Sequence, residues 1–317
     1  METSDFYDLT RLFHFREILN GLDPDSSPKA VIVDPSQNLA PGRIGILCGA
    51  FNPPTLAHVE LAQCAKDRFQ LDHVLFTLSR ITIDKEKVEG LSQEDRMLLL
   101  SLIAGELGWA SVAAVNKGLY FEQARAFRSL FGNKARLFFV VGMDKVMQIF
   151  DPRYYQDKEK ALKGLFTEVH LIAASRGPWD EKELKEFLSR KENQVYENRV
   201  YPLSLPEGLK DLTSTDLRTR IAKGESVQDQ LPEVIEKFVD TTGAYRSVYE
   251  DRCQLLDLLY GVRVWAEKEC DFEALVRIAG EETEKGERLR GMVHSAKVSS
   301  SQLKELISEI LRSGPKR

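Results

Sequence analysis

Apolar residues in this chain fall into short continuous runs, separated by longer stretches in which they recur at intervals of three and four. From Arg43 onward the runs RIGILC, HVLFTL, ASVAAV, RLFFVV and EVHLIAA read as buried strands. The stretches between them read as helices: one closing at Phe69, one opening at Ser92, one over Phe121–Phe131, and short helices after RLFFVV. This alternation predicts an α/β fold, a Rossmann-like parallel sheet with helices on both faces.

The flanks follow other patterns. Residues 1–42 hold a short helix, with Ser4 as cap, Phe6, Leu9 and Phe13 on one face and Asn20-Gly21 as terminator, and then a linker rich in Pro, Ser and Asp. Residues 248–317 read as a helical C-terminal extension. Leu255, Leu259, Val262 and Ala266 share one face there, and Leu303, Leu306, Ile307 and Ile310 share another behind a Ser299–Gln302 cap. The charged stretch EETEKGERLR between them reads as a solvated helix face. The apolar faces need a cover, either the central domain of residues 43–247 or a second copy of the chain, so a homo-oligomer is one of two outcomes and the sequence does not fix the oligomeric state.

Composition narrows the classes of function. The 317 residues carry a formal net charge of −5, and 43% are hydrophobic, enough to bury a full core. An acidic balance, with a pI near 5.7, argues against a nucleic-acid surface, which concentrates Lys and Arg. Cys48, Cys64, Cys253 and Cys270 are widely spaced without a C-x-x-C, so neither a zinc site nor a disulfide framework is expected. Cys48 lies within a strand and reads as a small buried residue. The start METSDFYD lacks a signal-like apolar core, and no apolar run approaches the ~18 residues of a membrane helix. A soluble, cytoplasmic protein is expected. Neither G-x-G-x-x-G nor a G-K-[ST] loop is present, which disfavours a dinucleotide dehydrogenase or a P-loop kinase.

Two segments carry candidate chemistry. Arg43 to His58 reads RIGILCGAFNPPTLAH, a strand that runs through a small-residue turn into two prolines and a helix start. Gly49 and Ala50 let backbone N–H groups approach a ligand, and Thr55 is a good N-cap. His58 falls in the first helical turn, where the positive end of the helix faces any anion lodged there. Leu212 to Ile221 reads LTSTDLRTRI. It serves either as a plain capping box, Thr213 with Asp216, or as a second phosphate cradle completed by Arg218.

Taken together, the two segments resemble the signatures of the nucleotidyltransferase superfamily, [HT]-x-x-H after strand one and [ST]-S-T-x-[LI]-R near the domain's end, in the same order. The opening Gly49-Ala50-Phe51-Asn52-Pro53-Pro54 up to His58 is similar to that of the nicotinamide/nicotinate mononucleotide adenylyltransferases. Gly142-Met143-Asp144 after LFFVVG looks like that family's G-x-D, although such a triplet is also an ordinary strand-to-helix turn. AASRG around Arg176 and TGAYRS at Thr242 to Ser247 extend the likeness, which covers residues 43–247.

The resemblance implies adenylyl transfer from ATP to a pyridine mononucleotide, releasing pyrophosphate. Thr55, His58 and Arg218 would be catalytic. ATP would meet Gly49, Ala50, Phe51, His58, Gly142, Asp144, Ser214, Thr215 and Arg218, with Asp144 on the ribose hydroxyls. The mononucleotide would meet Asn52, Lys85, Tyr120, Tyr154, Tyr155 and Arg176, and Mg²⁺ would be bound mainly through ATP phosphates. The departures concern the acceptor side. Ala57 replaces a glycine, SRITIDKEK stands where a Pro-Pro-His-Lys-like loop is usual, so that only Lys85 or Lys87 can supply the lysine, and the tryptophan after G-x-D is missing. Tyr154 and Tyr155 then either stack on the pyridine ring or are ordinary aromatics. The rivals are another nucleotidyltransferase with an acceptor such as phosphopantetheine, and a nucleotide-binding interaction protein without catalysis.

Overall fold

The computed structural model describes residues 5–6, 8–33, 39, 42–81, 83, 90–175, 180–206, 208, 212–247, 249–250, 252–254, 256–257 and 259–260. The long apolar runs each form a strand of one seven-stranded sheet. In chain order the strands are β1 (Ala30–Ile32), β2 (Arg43–Cys48), β3 (His73–Ser79), β4 (Ala110–Val115), β5 (Arg136–Gly142), β6 (Val169–Ala174) and β7 (Val200–Leu203). The helices are α1 (Leu9–Asn20), α2 (Leu56–Phe69), α3 (Gln93–Leu107), α4 (Tyr120–Phe131), α5 (Met143–Ile149), α6 (Lys158–Glu168), α7 (Glu181–Leu188), α8 (Ser214–Ala222) and α9 (Glu233–Thr242).

The sheet order is β1-β4-β3-β2-β5-β6-β7, parallel throughout except for β1, which runs antiparallel to β4. This is the Rossmann-like α/β arrangement. β3 and β4 are buried at nearly every position, as strands covered on both faces must be. The chain winds outward from β2 to β4 and then returns to place β5 beside β2. Ligands of such sheets bind outside the carboxyl ends of the strands at this reversal. Here those ends are Cys48 and Gly142, so the two glycine turns of the sequence flank one crevice.

Three local expectations are corrected. Helix α1 opens at Leu9, because Asp8 Oδ1 accepts the Arg11 N–H at 3.0 Å and acts as the cap. Phe6 lies in a separate turn before it, and Ser4 lies outside the described residues. The stretch read as linker contains β1, an edge strand too short for its periodicity to register. β7 was not read from the sequence; it is a four-residue edge strand, a place where Pro202 is tolerated.

The chain divides into two compact units, and residues 15–236 hold the sheet. The other unit joins the described residues of 1–14 to those of 237–260. Within it the Phe6 ring meets Phe238 edge-on at 5.3 Å, and Arg252 Nη2 donates to the Phe6 carbonyl at 2.7 Å. The apolar faces expected at Val262, Ala266 and Leu303–Ile310 lie outside the described residues. No helix among the described residues is long and apolar enough to cross a membrane.

Candidate active site

A cavity of about 600 Å³ opens at the reversal point, lined by Leu47–Asn52 and His58 from the β2–α2 turn, by Gly142, Asp144 and Lys145 after β5, and by Thr213, Ser214, Thr215 and Arg218 of α8. The two sequence segments meet here although more than 160 residues separate the bonded pairs. Arg218 Nη1 donates to the Asn52 carbonyl at 2.6 Å, with |i−j| = 166, and Ser214 Oγ donates to the Pro53 carbonyl at 2.9 Å, with |i−j| = 161. The second segment therefore holds the turn of the first by its carbonyls, across a cis Asn52–Pro53 bond.

The turn is shaped by Phe51. This residue has a positive φ of 46° and is 1% exposed, with its ring edge-on to His58 at 5.0 Å and to Phe76 at 5.9 Å. A Cβ on Gly49 would lie 3.0 Å from that ring, so the glycine makes room for Phe51 as well as for a ligand. The N–H groups of Ala50 and Phe51 have no bonded partner among the described residues, whereas Gly49 N–H donates to the Thr77 carbonyl.

Thr55 caps α2 as expected, and His58 reaches back to it. The Thr55 N–H donates to His58 Nδ1 at 3.1 Å, and the Thr55 hydroxyl lies 2.8 Å from the same nitrogen. A nitrogen that accepts carries no proton, so the imidazole proton sits on Nε2 and the ring presents a donor. The α2 terminus is less open than the sequence implies: Leu56 N–H is taken by the Gln230 carbonyl and His58 N–H by the Thr55 carbonyl. At α8, Thr213 accepts the Asp216 N–H at 3.1 Å, the expected cap. The N–H groups of Ser214 and Thr215 there have no bonded partner among the described residues. Arg218 Nη2 donates to Thr215 Oγ1 at 3.2 Å, which fixes the guanidinium plane.

Charge in the cavity is lopsided. Arg96, Lys145 and Arg218 line it beside the His58 imidazole, with Asp144 as the sole acidic lining residue described. Such a site suits a polyanion. Arg96 was not picked out from the sequence. It is 5% exposed, donates from Nη1 to the Ala50 carbonyl at 3.0 Å and from Nε to the Ser92 carbonyl at 3.2 Å, and so ties the start of α3 to the β2–α2 turn. An arginine directly before the apolar run Met97-Leu98-Leu99-Leu100 was the available signal.

Another part of the cavity lining is apolar and aromatic, with Ile81, Ile83, Leu119, Tyr120, Tyr154 and Tyr155. Burial first, and then the neighbouring Cys48 and Asp144, hold the Tyr120 phenol well above its ordinary pKa. Burial, then Asp151, pushes Tyr155 up to about 12, and its hydroxyl donates to the Ile149 carbonyl at 2.7 Å. Both phenols stay protonated near neutrality. Asn52 also lines the cavity, but it is buried, with Oδ1 accepting the Leu91 N–H at 3.0 Å, which anchors the chain before α3. Cys48 donates to Gln123 Oε1 at 3.1 Å and burial raises its thiol pKa, so it offers no thiolate. Lys85, Lys87 and Arg176 lie outside the described residues. Among the described residues no cluster of three or more His, Cys, Asp or Glu could cage a metal ion.

Comparison with known proteins identifies the family. Residues 46–220 match the family model described as cytidylyltransferase-like. The chain is 26% identical over 214 residues to a probable nicotinate-nucleotide adenylyltransferase of Thermoanaerobacter sp. (strain X514), covering 66% of this chain and 97% of that one. It is 28% identical over 220 residues to a protein of the same description from Moorella thermoacetica, covering 66% and 96%. A solved structure of the Plasmodium falciparum nicotinic acid mononucleotide adenylyltransferase complexed with NaAD aligns with a TM-score of 0.48 at 19% identity, over 65% of this chain and 97% of that one. The family match spans more than half of the chain and runs from β2 through Arg218, taking in both halves of the cavity: this chain belongs to the cytidylyltransferase-like family of nucleotidyltransferases.

Proposed function

We propose that the protein transfers the adenylyl group of ATP to nicotinate mononucleotide, giving a pyridine dinucleotide and pyrophosphate. The observation that carries this reading is a single cavity whose lining combines two unlike sets of residues. One is a cationic cradle in which the β2–α2 turn is clasped by Ser214 and Arg218, and the other is a wall of Tyr120, Tyr154, Tyr155 and Leu119 suited to a flat ring. The choice of acceptor is supported by the descriptions of the two bacterial relatives.

In the proposed reaction a 5′-phosphate oxygen of the mononucleotide attacks the α-phosphorus of ATP. A new P–O bond forms as the bond from the α-phosphorus to the bridging oxygen breaks, and the electron pair leaves with pyrophosphate. No residue needs to take a covalent bond, so catalysis consists of alignment and fixed charge. His58 donates from Nε2 to phosphate oxygens, held in that tautomer by Thr55. The N–H groups of Ser214 and Thr215, with the Arg218 guanidinium, receive the departing phosphates. Asp144 takes the ribose hydroxyls. A Mg²⁺ ion would be held mainly through bound ATP, with Asp144 the carboxylate in the described cavity lining, and would supply positive charge to offset the negative charge developing on the leaving pyrophosphate.

The test is pyrophosphate release from ATP with nicotinate mononucleotide, nicotinamide mononucleotide and phosphopantetheine in parallel. Highest kcat/KM with nicotinate mononucleotide is expected. Preference for phosphopantetheine, or release with none of the three, would overturn the reading.

A further inference from the structure

The aromatic part of the cavity lining lies within the matched domain, but it is braced from outside that domain. Gly118, Leu119 and Tyr120 form part of its wall, and the two residues just before them are bound to a segment that precedes the family match. Asn116 is 0% exposed. Its Nδ2 donates to the Asp23 carbonyl at 2.8 Å, the Ser27 carbonyl at 3.0 Å and Ser26 Oγ at 3.1 Å, while its Oδ1 accepts the Lys29 N–H at 2.8 Å. Backbone pairing continues the attachment: Asn116 N–H donates to the Lys29 carbonyl at 3.1 Å, and β1 then runs antiparallel along β4. Lys117 Nζ donates to the Pro24 carbonyl at 2.6 Å.

The same short loop is gripped from the cavity side. Gln123 Nε2 donates to the Lys117 and Gly118 carbonyls at 2.9 and 3.1 Å, and Ser79 Oγ donates to the Lys117 carbonyl at 2.8 Å. Gly118 faces Ile83 so closely that an added Cβ would lie 2.7 Å from its Cδ1. The Asn116–Tyr120 loop is thus fixed from two sides, and one side is the N-terminal segment. A buried amide that satisfies several carbonyls at once is costly to remove, because the partners are left without donors.

We propose that residues 23–33 are a working part of the acceptor end of the site, acting through Asn116 and Lys117 as positioning residues that set the wall at Gly118–Tyr120. This rests on the reading of that end as the acceptor site. It assigns the N-terminal segment an indirect task in acceptor binding, exerted through Asn116 and Lys117, since no residue of 23–33 itself lines the cavity as described.

Asn116→Ala and the milder Lys117→Met are to be made in the full chain, with far-UV circular dichroism to check folding. The KM for nicotinate mononucleotide should rise about tenfold in Asn116→Ala and less in Lys117→Met, while the KM for ATP stays within about twofold. Amide hydrogen exchange at 118–123 should quicken in both. Unchanged acceptor KM in folded variants, or equal losses for both substrates, would overturn the proposal. Should Asn116→Ala not fold, Lys117→Met decides by the same criteria. If the wild type releases no pyrophosphate with any acceptor, the functional reading falls separately. Exchange at 118–123 then judges the brace: faster exchange in the variants upholds it, and unchanged exchange overturns it.

Discussion

The two ends of the sheet use the same residue types to opposite effect. At the carboxyl end His58, Arg96 and Arg218 line an open cavity beside aromatic rings. At the amino end Arg43, Arg136, Arg199 and His170 also gather around aromatics. There the Arg43 and Arg136 guanidiniums sit 5.0 and 5.4 Å from the Phe138 ring centre, and Phe138, His170 and Tyr201 stack at 5.3 and 5.7 Å. His170 Nε2 lies 3.3 Å from Arg199 Nη1, which can only donate, so Nδ1 carries the proton and donates to Tyr201 Oη at 3.3 Å. Its two nitrogens are engaged within the stack. His58 instead spends Nδ1 on its own helix cap and turns its proton-bearing nitrogen outward from that cap. Composition does not separate a site from a stack; what separates them is where the ring sits, on a helix cap that lines a cavity for His58 and between stacked aromatics for His170.

The sharpest way to break this comparison is His58→Ala. Turnover should fall roughly 10²-fold or more, as on removal of one preorganised donor to developing charge. The fold should persist, because the ring is half-buried and the cap retains Thr55. Steady-state pyrophosphate release measures the loss. Near-wild-type turnover would place His58 with His170, as a residue of structure.

Arg218→Lys comes next. The arginine spans two acceptors, the Asn52 carbonyl at 2.6 Å and Thr215 Oγ1 at 3.2 Å, in one rigid plane, and a lysine ammonium cannot reproduce that fork. ATP affinity should weaken about tenfold, the cost of a charge-assisted hydrogen bond. Mononucleotide affinity should change about twofold at most. Calorimetric titration of each ligand separates the two. Collapse of mononucleotide binding with ATP unaffected would show the cavity's ends to be assigned in reverse.

Much of the sheet was legible because buried parallel strands write themselves as continuous apolar runs, and β2 to β6 all do so. The turn at Gly49–His58 and the cap at Thr213 were legible because their chemistry is local: proline, a small residue and a hydroxyl act within a few positions. What escaped was non-local. Arg96 matters through the Ala50 carbonyl 46 residues away, and Asn116 through carbonyls 89 and 93 residues away, and no spacing rule encodes such partners. β1 and β7 escaped because edge strands are short and tolerate proline. Asn52 carried a motif position, but its side chain is bonded to Leu91, a use its place in the motif does not reveal.

The smallest effect on activity is expected at the amino end, and its signature is pH. Burial first, then the positive charges of Arg136, Arg199 and Arg43, hold His170 down from 6.5 to about 4. Above pH 6.5 the ring is neutral in both folded and unfolded chains and contributes no pH dependence. As pH falls from about 6.5 towards 4 the unfolded chain takes up the proton and the folded one resists, so stability drains away across that window and the loss levels off below it. His170→Phe keeps a ring in the stack and removes the titration. Urea midpoints for the two proteins should therefore run parallel above pH 6.5 and diverge below it, with the wild type losing more. Pyrophosphate release near neutral pH should stay within about twofold, since nothing in the stack reaches the cavity. Parallel curves throughout would show that burial and the arginines together do not hold the imidazole neutral. A loss of turnover approaching that of His58→Ala would abolish the distinction between the two ends of the sheet.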